Sequence, residues 1–106
     1  MKLFKIEDFK GGWFIGDFEP TAYRTAACEV CRKLHHKGEK WDKHFHRVAT
    51  EINCIISGTM TLKDTLLQTG DVFVLEPNEI ADPEFLSDCL LIVVKVPSIP
   101  GDKYVV

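Results

Sequence analysis

The chain lacks sustained helical periodicity and long hydrophobic runs. Apolar residues do not recur at intervals of three and four over any long stretch, and this excludes a helical bundle. The run Leu90–Val94 has only the length of a strand. It is far shorter than the roughly 20 apolar residues that a membrane-spanning helix needs. We therefore expect no membrane partner.

Net charge is also small, and its sign is wrong for nucleic acid. The chain has 13 basic and 16 acidic residues, a net charge of −3, with only a mild basic cluster at Arg32–Lys43. We therefore expect no nucleic-acid partner. The first residues, Met1–Phe9, carry lysines and lack the continuous apolar stretch of a secretory leader, so a cytoplasmic location is expected.

Cysteines are too few for a disulfide framework. There are four, and Cys28 and Cys31 have CxxC spacing, but no second CxxC follows. The segment around them has the pattern of a strand, which would turn the two thiols to opposite faces. We interpret them as unlinked thiols in a reducing compartment. Cys54 and Cys89 lie within apolar runs and are predicted to be small core residues.

What the chain does contain is a succession of short extended runs with turn signals between them. With 106 residues, 45% of them hydrophobic, it can form one domain with a single core. The tail Pro97–Val106 contains two prolines and a glycine, and we expect an irregular C-terminal arm there. We therefore predict one all-β domain over residues 1–106. Its strands are expected at Lys2–Ile6, Trp13–Phe18, Ala26–His35, His44–Arg47, Glu51–Ser57, Thr59–Leu62, Thr65–Leu67, Val72–Leu75, Glu84–Phe85 and Cys89–Val96.

Two of these strands are apolar on both faces. If Glu51, Asn53 and Ile55 face the interior, the alternate residues Ile52, Cys54 and Ile56 face outward, and all are apolar. A half-solvated antiparallel strand should carry polar residues on its outer side. A second sheet, the N-terminal segment or a second subunit should therefore cover this face, and we predict a homodimer.

The segment Gly38–Gly58 carries the clearest chemical signal. His44 and His46 are separated by one residue, so their imidazoles project to the same side of an extended backbone. Glu51 follows after a short break, where the next strand can bring it back towards them. Two imidazoles and a carboxylate can hold a divalent transition metal and leave positions open for a ligand.

The spacing Gly38-x5-His44-x-His46-x4-Glu51-x6-Gly58 resembles the first sequence motif of the cupin superfamily. The second cupin motif begins with glycine and aspartate, as at Gly70-Asp71, but the remainder is degenerate here. Asn78 stands where a glycine is expected, and asparagine also tolerates a left-handed turn. The resemblance implies a double-stranded β-helix, which is a jelly-roll barrel of two antiparallel sheets.

The resemblance also implies a metal site. In the family, the two histidines and the glutamate bind iron, manganese, nickel, zinc or copper together with a third histidine. Here Ala81 stands at the position of that histidine. Asp82 is the nearest replacement, if an irregularity beside Pro83 turns its carboxylate inward. The predicted metal ligands are His44, His46, Glu51 and Asp82, with Glu79 and Glu84 as weaker candidates.

Two residues near these ligands are predicted to bind a small molecule. Trp41 lies shortly before His44, where an aromatic side chain can form the wall of a pocket. Asn53 is expected to face the interior beside Glu51. The adjacent His35 and His36 point in opposite directions, and the charged residues around them favour a position on the surface for both.

Three functions fit these residues. The first is a metal-dependent dioxygenase, isomerase or lyase acting on a small molecule. The second is a binding module that holds a sugar or carboxylate without turnover. The third is a structural homodimer in which the metal site is vestigial. Because folds of this kind serve many uses, the sequence does not choose among the three.

Overall fold

The protein is almost entirely β-structure in a computed structural model that describes residues 1–106. Two short 3₁₀ helices, Ile6–Asp8 and Lys10–Gly12, precede the strands. The all-β prediction is confirmed. The strands are β1 Trp13–Gly16, β2 Tyr23–Arg24, β3 Glu29–His35, β4 His44–Phe45, β5 Thr50–Ser57, β6 Thr59–Leu62, β7 Thr65–Gln68, β8 Val72–Leu75, β9 Glu84–Phe85, β10 Cys89–Val96 and β11 Tyr104–Val105.

The strands form three sheets. The largest has six strands in the order β2-β1-β3-β10-β5-β8, the second has the order β7-β6-β9, and β11 pairs with β4. Every pairing is antiparallel except that of β1 with β2. Cys31, Ile55 and Leu91 of the large sheet pack against Met60 and Phe85 of the three-stranded sheet. The core therefore lies between the two, as in a jelly roll, although the strands do not close into one continuous barrel.

Alternation along β5 gives the predicted orientation. Asn53 and Ile55 are buried, whereas Ile52 and Cys54 are only partly buried and Ile56 is exposed. β10 pairs in unbroken register with β5 from Thr50 to Ile55, and β8 does so from Glu51 to Cys54, so alternation is kept over the inner residues. The turn of the second cupin motif, at Asn78, also has the predicted left-handed backbone. Asn78 has a φ of +69°, and its amide nitrogen lies 2.6 Å from the carbonyl oxygen of His46.

The outer face of the large sheet is only partly covered. Phe4, Ile6 and Phe9 of the N-terminal segment lie with Phe14 and Ile92 around a shallow second cavity on this side. The strand predicted at Lys2–Ile6 is therefore absent. The apolar side chains of this segment pack over the sheet, and its backbone does not pair with a strand. Further along, the apolar residues Ile56, Val72 and Val74 stay exposed.

The C-terminal arm packs on its own chain. The sequence predicts an irregular arm over residues 97–106 that could cross to a partner. Instead, β11 pairs with β4, aligning Tyr104 with Phe45 and Val105 with His44. The rings of Tyr104 and Phe45 stack with their centroids 5.5 Å apart. The arm thereby becomes part of the wall next to the predicted metal ligands.

No helix in the structure has the length and apolar character required to cross a membrane.

Candidate functional site

A cavity of about 190 Å³ lies between the large sheet and the smaller ones. Five of the six residues that the sequence predicts for the site line this cavity: His44, His46, Glu51, Trp41 and Asn53. They come from β4, β5 and the segments flanking β4, so the fold brings the predicted ligand set together at one place. The sixth residue, Asp82, is not part of the lining.

His44 is held in place by its backbone and by its ring. Its amide and carbonyl form reciprocal hydrogen bonds with Ala81, of 3.1 and 2.8 Å. Its ring Nδ1 lies 3.0 Å from the carbonyl oxygen of Asp42, an acceptor, so Nδ1 carries the proton and Nε2 carries the lone pair. Burial lowers the pKa of His44 below its ordinary value, which keeps the imidazole neutral and able to bind a metal.

His46 is held in the same tautomer. Its Nδ1 donates to the backbone carbonyl of Asp102. Its Nε2 is the one buried side-chain nitrogen or oxygen of the chain that has no hydrogen-bond partner. A buried polar atom without a partner is costly, and a metal-binding histidine commonly donates its other nitrogen to a carbonyl in this way. The centroids of the His44 and His46 rings are 5.7 Å apart.

Glu51 completes the group. One carboxylate oxygen, Oε1, lies 3.3 Å from Nε2 of His46, and the other accepts a 3.1 Å hydrogen bond from the side-chain amide of Asn53. Burial raises the pKa of Glu51, but the adjacent His46 ring, the hydrogen bond from Asn53 and the charge of Lys95 outweigh it. The net effect lowers the pKa, so Glu51 is a carboxylate anion at neutral pH.

Solved structures with the same architecture superpose on this chain. A double-stranded β-helix protein from Klebsiella pneumoniae superposes with a TM-score of 0.71 at 16% identity, over 98% of this chain and 90% of that one. An RmlC-like cupin from Ralstonia eutropha superposes with a TM-score of 0.61 at 13% identity, over 77% and 57%. The chain has the cupin fold.

A third cupin-like neighbour is an enzyme. The DMSP lyase DddQ from Ruegeria pomeroyi superposes with a TM-score of 0.70 at 14% identity, over 88% of this chain and 49% of that one. No protein-family model matches the sequence, and no curated protein matches it. The likeness to cupins therefore rests on the fold and on the resemblance to the first cupin motif.

The donor set of this site suits a metal, although the side chains are not drawn together. No three histidine, cysteine, aspartate or glutamate side chains are grouped closely enough to hold an ion as they stand. The chemistry fits nonetheless, because His44 and His46 both leave Nε2 unprotonated and Glu51 is ionised beside one of them. The partnerless Nε2 of His46 is the observation that an ion would explain.

The position of the missing cupin histidine is clear. Ala81 is buried, lines the cavity and lies opposite His44 in an isolated β-bridge. Because alternation is kept through this bridge, the next residue points outward. Asp82 is exposed, and its carboxylate accepts a 2.9 Å hydrogen bond from the amide of Lys63. The structure thus does not support the prediction of Asp82 as a fourth ligand.

The weaker carboxylate candidates also lie elsewhere. Glu79 pairs with the Lys63 ammonium at 2.5 Å, and Glu84 is exposed on β9.

The CxxC cysteines are free, as predicted. Burial raises the pKa of the Cys31 thiol to about 11, so it stays protonated at neutral pH and is a poor metal ligand.

His35 is the residue that the sequence analysis placed wrongly. It is buried and lines the cavity, whereas its neighbour His36 is exposed as predicted. Its ring stacks on Phe85 with centroids 4.1 Å apart. The charged neighbours suggested a surface position, but strict alternation along β3 from the buried Cys31 would have predicted an inward one.

His35 forms a hydrogen-bonded pair with Glu39. The distance from His35 Nδ1 to Glu39 Oε2 is 2.5 Å, and the Trp41 indole donates to the same oxygen at 2.6 Å. Burial raises the pKa of Glu39, but these two hydrogen bonds outweigh it and bring the pKa down to about 2. Burial lowers the pKa of His35 by more than Glu39 raises it, so its imidazole is neutral. Nε2 of His35 therefore carries the free lone pair.

Proposed function

We propose that this protein is a metal-binding cupin in which His44, His46 and Glu51 hold a divalent transition metal beside a pocket for a small polar ligand. The observation that carries the proposal is the buried, partnerless Nε2 of His46, 3.3 Å from Glu51. Nitrogen and oxygen donors suit iron, manganese, nickel, zinc and copper alike. When bound, such a metal acts as a Lewis acid towards an oxygen of the ligand.

We further propose that the pocket catalyses a reaction involving proton transfer, as in an isomerase or a lyase. The His35–Glu39 pair favours this over a non-catalytic binding module. With Nδ1 donating to Glu39, Nε2 of His35 can accept a proton from a bound molecule. Glu39 then stabilises the imidazolium that forms, and Trp41 keeps the carboxylate in position. The structural likeness to a DMSP lyase is in keeping with this class of reaction.

Metal analysis tests the first part. The protein is purified without chelator, and its metal content is compared with that of His44→Ala and His46→Ala. His36→Ala is the matched control, because His36 is exposed. We expect about one ion per chain in the parent and the control, and loss of the ion in both site variants. Retention of the ion in the site variants would place it elsewhere.

Hydrogen exchange tests the second part. The metal-loaded protein is incubated in D₂O with a panel of short hydroxy and keto acids, and proton NMR follows loss of the carbon-bound proton signals. We expect the protein to accelerate exchange for some of them, and His35→Gln to slow it about 100-fold or more without weakening binding. Binding with no accelerated exchange would favour the binding module, which holds a sugar or carboxylate without turnover.

The exposed outer face supports a homodimer. Ile56, Val72 and Val74 are 46–62% exposed, and a second copy of the chain would cover them. Light scattering at micromolar concentration should give twice the mass of one chain, with a shift to the monomer in Val72→Lys. A monomeric parent protein would exclude the dimer and, with it, the purely structural role.

The free thiols suit a reducing compartment, and we propose that the protein is cytoplasmic.

A further inference from the structure

Three lysine ammonium groups border the cavity. Lys33 lies on β3 and Lys95 on β10, each in phase with the inward-facing residues of its strand, and Lys103 belongs to the C-terminal arm. Lys33 and Lys95 are partly buried, whereas Lys103 is exposed. Residues distant in sequence thus bring three positive charges to one small space.

Aromatic rings hold these ammonium groups at the cavity. Nζ of Lys103 lies 4.1 Å from the centroid of the Trp41 ring, and Nζ of Lys33 lies 5.7 Å from the same ring. Nζ of Lys95 lies 4.9 Å from the Trp13 ring. An aromatic face attracts a cation but does not neutralise it, so the charges remain available to a ligand.

No carboxylate lies within ion-pairing distance of the three lysines. The one lysine of the chain that forms an ion pair is Lys63, far from this group along the sequence and outside the lining. Glu51 is the single carboxylate among the lining residues, and the nearby Glu29 accepts a 2.9 Å hydrogen bond from Ser98. Partial desolvation of the ammonium group and the charges of Lys95 and Lys33 lower the pKa of Lys103, as mutual repulsion requires.

The cavity is therefore positive although the whole chain carries −3. Clefts lined by charge of one sign concentrate ligands of the opposite sign. The remaining walls are mostly apolar, with Phe73, Leu75, Leu91 and Val93 among them. At about 30 Å³ for each water, the volume of about 190 Å³ accommodates a ligand the size of a few waters. These properties suit a short organic acid.

We infer that Lys33, Lys95 and Lys103 form a subsite for the carboxylate of a small organic acid, whose other end reaches His44, His46 and Glu51. This inference rests on the proposed metal site only for the end of the acid that reaches His44, His46 and Glu51. The ammonium groups form charge-assisted hydrogen bonds with the carboxylate, and the apolar walls accommodate its carbon chain. An inorganic anion lacks the chain and should bind more weakly.

Isothermal titration tests the subsite on protein stripped with a chelator and on protein reloaded with Zn²⁺. The probes are malonate and succinate, their neutral diamides, and inorganic phosphate. The variants are Lys33→Gln and Lys103→Gln. The control is Lys37→Gln, which makes the same charge change at an exposed lysine outside the cavity. Circular dichroism confirms that each variant is folded.

We expect a dicarboxylate to bind both protein forms, the diamides and phosphate to bind at least tenfold more weakly, and each cavity variant to weaken binding about tenfold. Equal affinity for acid and diamide, equal affinity for phosphate, or equal loss in Lys37→Gln would overturn the subsite. Lysine-dependent binding by a protein that takes up no Zn²⁺ would uphold the subsite and refute the metal site. Zn²⁺ uptake without selective binding of the acid would uphold the metal site and refute the subsite.

Discussion

The backbone carbonyl of Asp102 accepts the Nδ1 proton of His46, although 56 residues separate the two in sequence. The carboxylate of Asp102 also accepts hydrogen bonds from the amides of Arg47, Val48 and Ala49, at 2.9 to 3.1 Å. One residue of the C-terminal arm thus orients a predicted metal ligand and closes the turn that follows it. The arm is therefore part of the site.

Replacing Asp102 with alanine should weaken both the fold and the metal site. The variant leaves three backbone amides without their acceptor, and each hydrogen bond to a charged group contributes about 1.5–3 kcal/mol. We expect the free energy of unfolding to fall by about 3 kcal/mol or more. Alanine keeps the backbone carbonyl that accepts from His46, but the arm loses the carboxylate that anchors it, so this carbonyl shifts and metal affinity should fall about 10-fold or more.

The control for this prediction is Asp82→Ala, which removes one hydrogen bond at an exposed position. Urea denaturation measures the stability of both variants, and competition with a chromophoric chelator measures their metal affinity. We expect the control to lose about 1 kcal/mol or less. Similar losses of stability and affinity in the two variants would contradict the role given to Asp102.

Restoring the missing histidine should strengthen the site. The side chain of Ala81 lies in the cavity lining opposite His44, so Ala81→His would add a fourth donor. We expect Zn²⁺ affinity to rise at least tenfold, measured by chelator competition. In Asp82→His the new imidazole would point outward, and its affinity should match that of the parent. A comparable gain in both variants would show that Ala81 does not mark the ligand position.

The sequence was sufficient for the residues that depend on local alternation. His44 and His46 share a side because they are two apart, and Glu51 and Asn53 face the cavity for the same reason. Asn78 took the left-handed backbone expected of it. The motif count also located Ala81 correctly, since the chain stays regular there.

Other parts of the site depend on contacts that no local pattern reveals. Lys103 reaches the cavity and Asp102 reaches His46 because β11 pairs with β4, and nothing near them in sequence indicates it. The prediction for Asp82 requires a bulge, but the bridge between Ala81 and His44 places Ala81 in the cavity wall and leaves Asp82 exposed. His35 was judged by its charged neighbours, whereas the register of β3 determines its direction.

Two glycines should respond differently to alanine. Both have positive φ, +113° at Gly58 and +92° at Gly70. A Cβ at Gly58 would lie 2.4 Å from the carbonyl oxygen of Asp88, whereas at Gly70 it would meet nothing. We expect Gly70→Ala to cost about 1–2 kcal/mol from backbone strain alone, and Gly58→Ala to cost clearly more. Thermal denaturation that ranks them equal would contradict the packing at Gly58.

Metal-free protein should lose stability as the pH falls, in two windows. Burial lowers the pKa of both His35 and His44 below 6.5, so below that pH the unfolded chain binds protons that the folded chain does not. The pKa of Glu39 is about 2 in the fold against an ordinary 4.5. Its stabilising contribution is therefore complete above pH 4.5 and is lost as the pH falls towards 2.

Melting temperatures measured in a chelating buffer test both windows. We expect a decline as the pH falls below about 6.5, and a second decline below pH 4.5 that Glu39→Gln reduces. His36→Gln serves as the control for the upper window, because His36 is exposed, and its profile should follow that of the parent. A melting temperature that stays constant from pH 7.5 to 5 would show that the buried imidazoles are protonated in the folded state.

The central claim is that His44 and His46 bind a metal through Nε2 while Nδ1 keeps its proton. Long-range ¹H–¹⁵N correlation NMR of the histidine rings, recorded during titration of the chelator-treated protein with Zn²⁺, measures this directly. We predict that the Nε2 signals of His44 and His46 shift together and saturate at one ion per chain, with both Nδ1 atoms still protonated and His36 unchanged. Saturating Zn²⁺ that shifts His36, or neither His44 nor His46, would contradict the account.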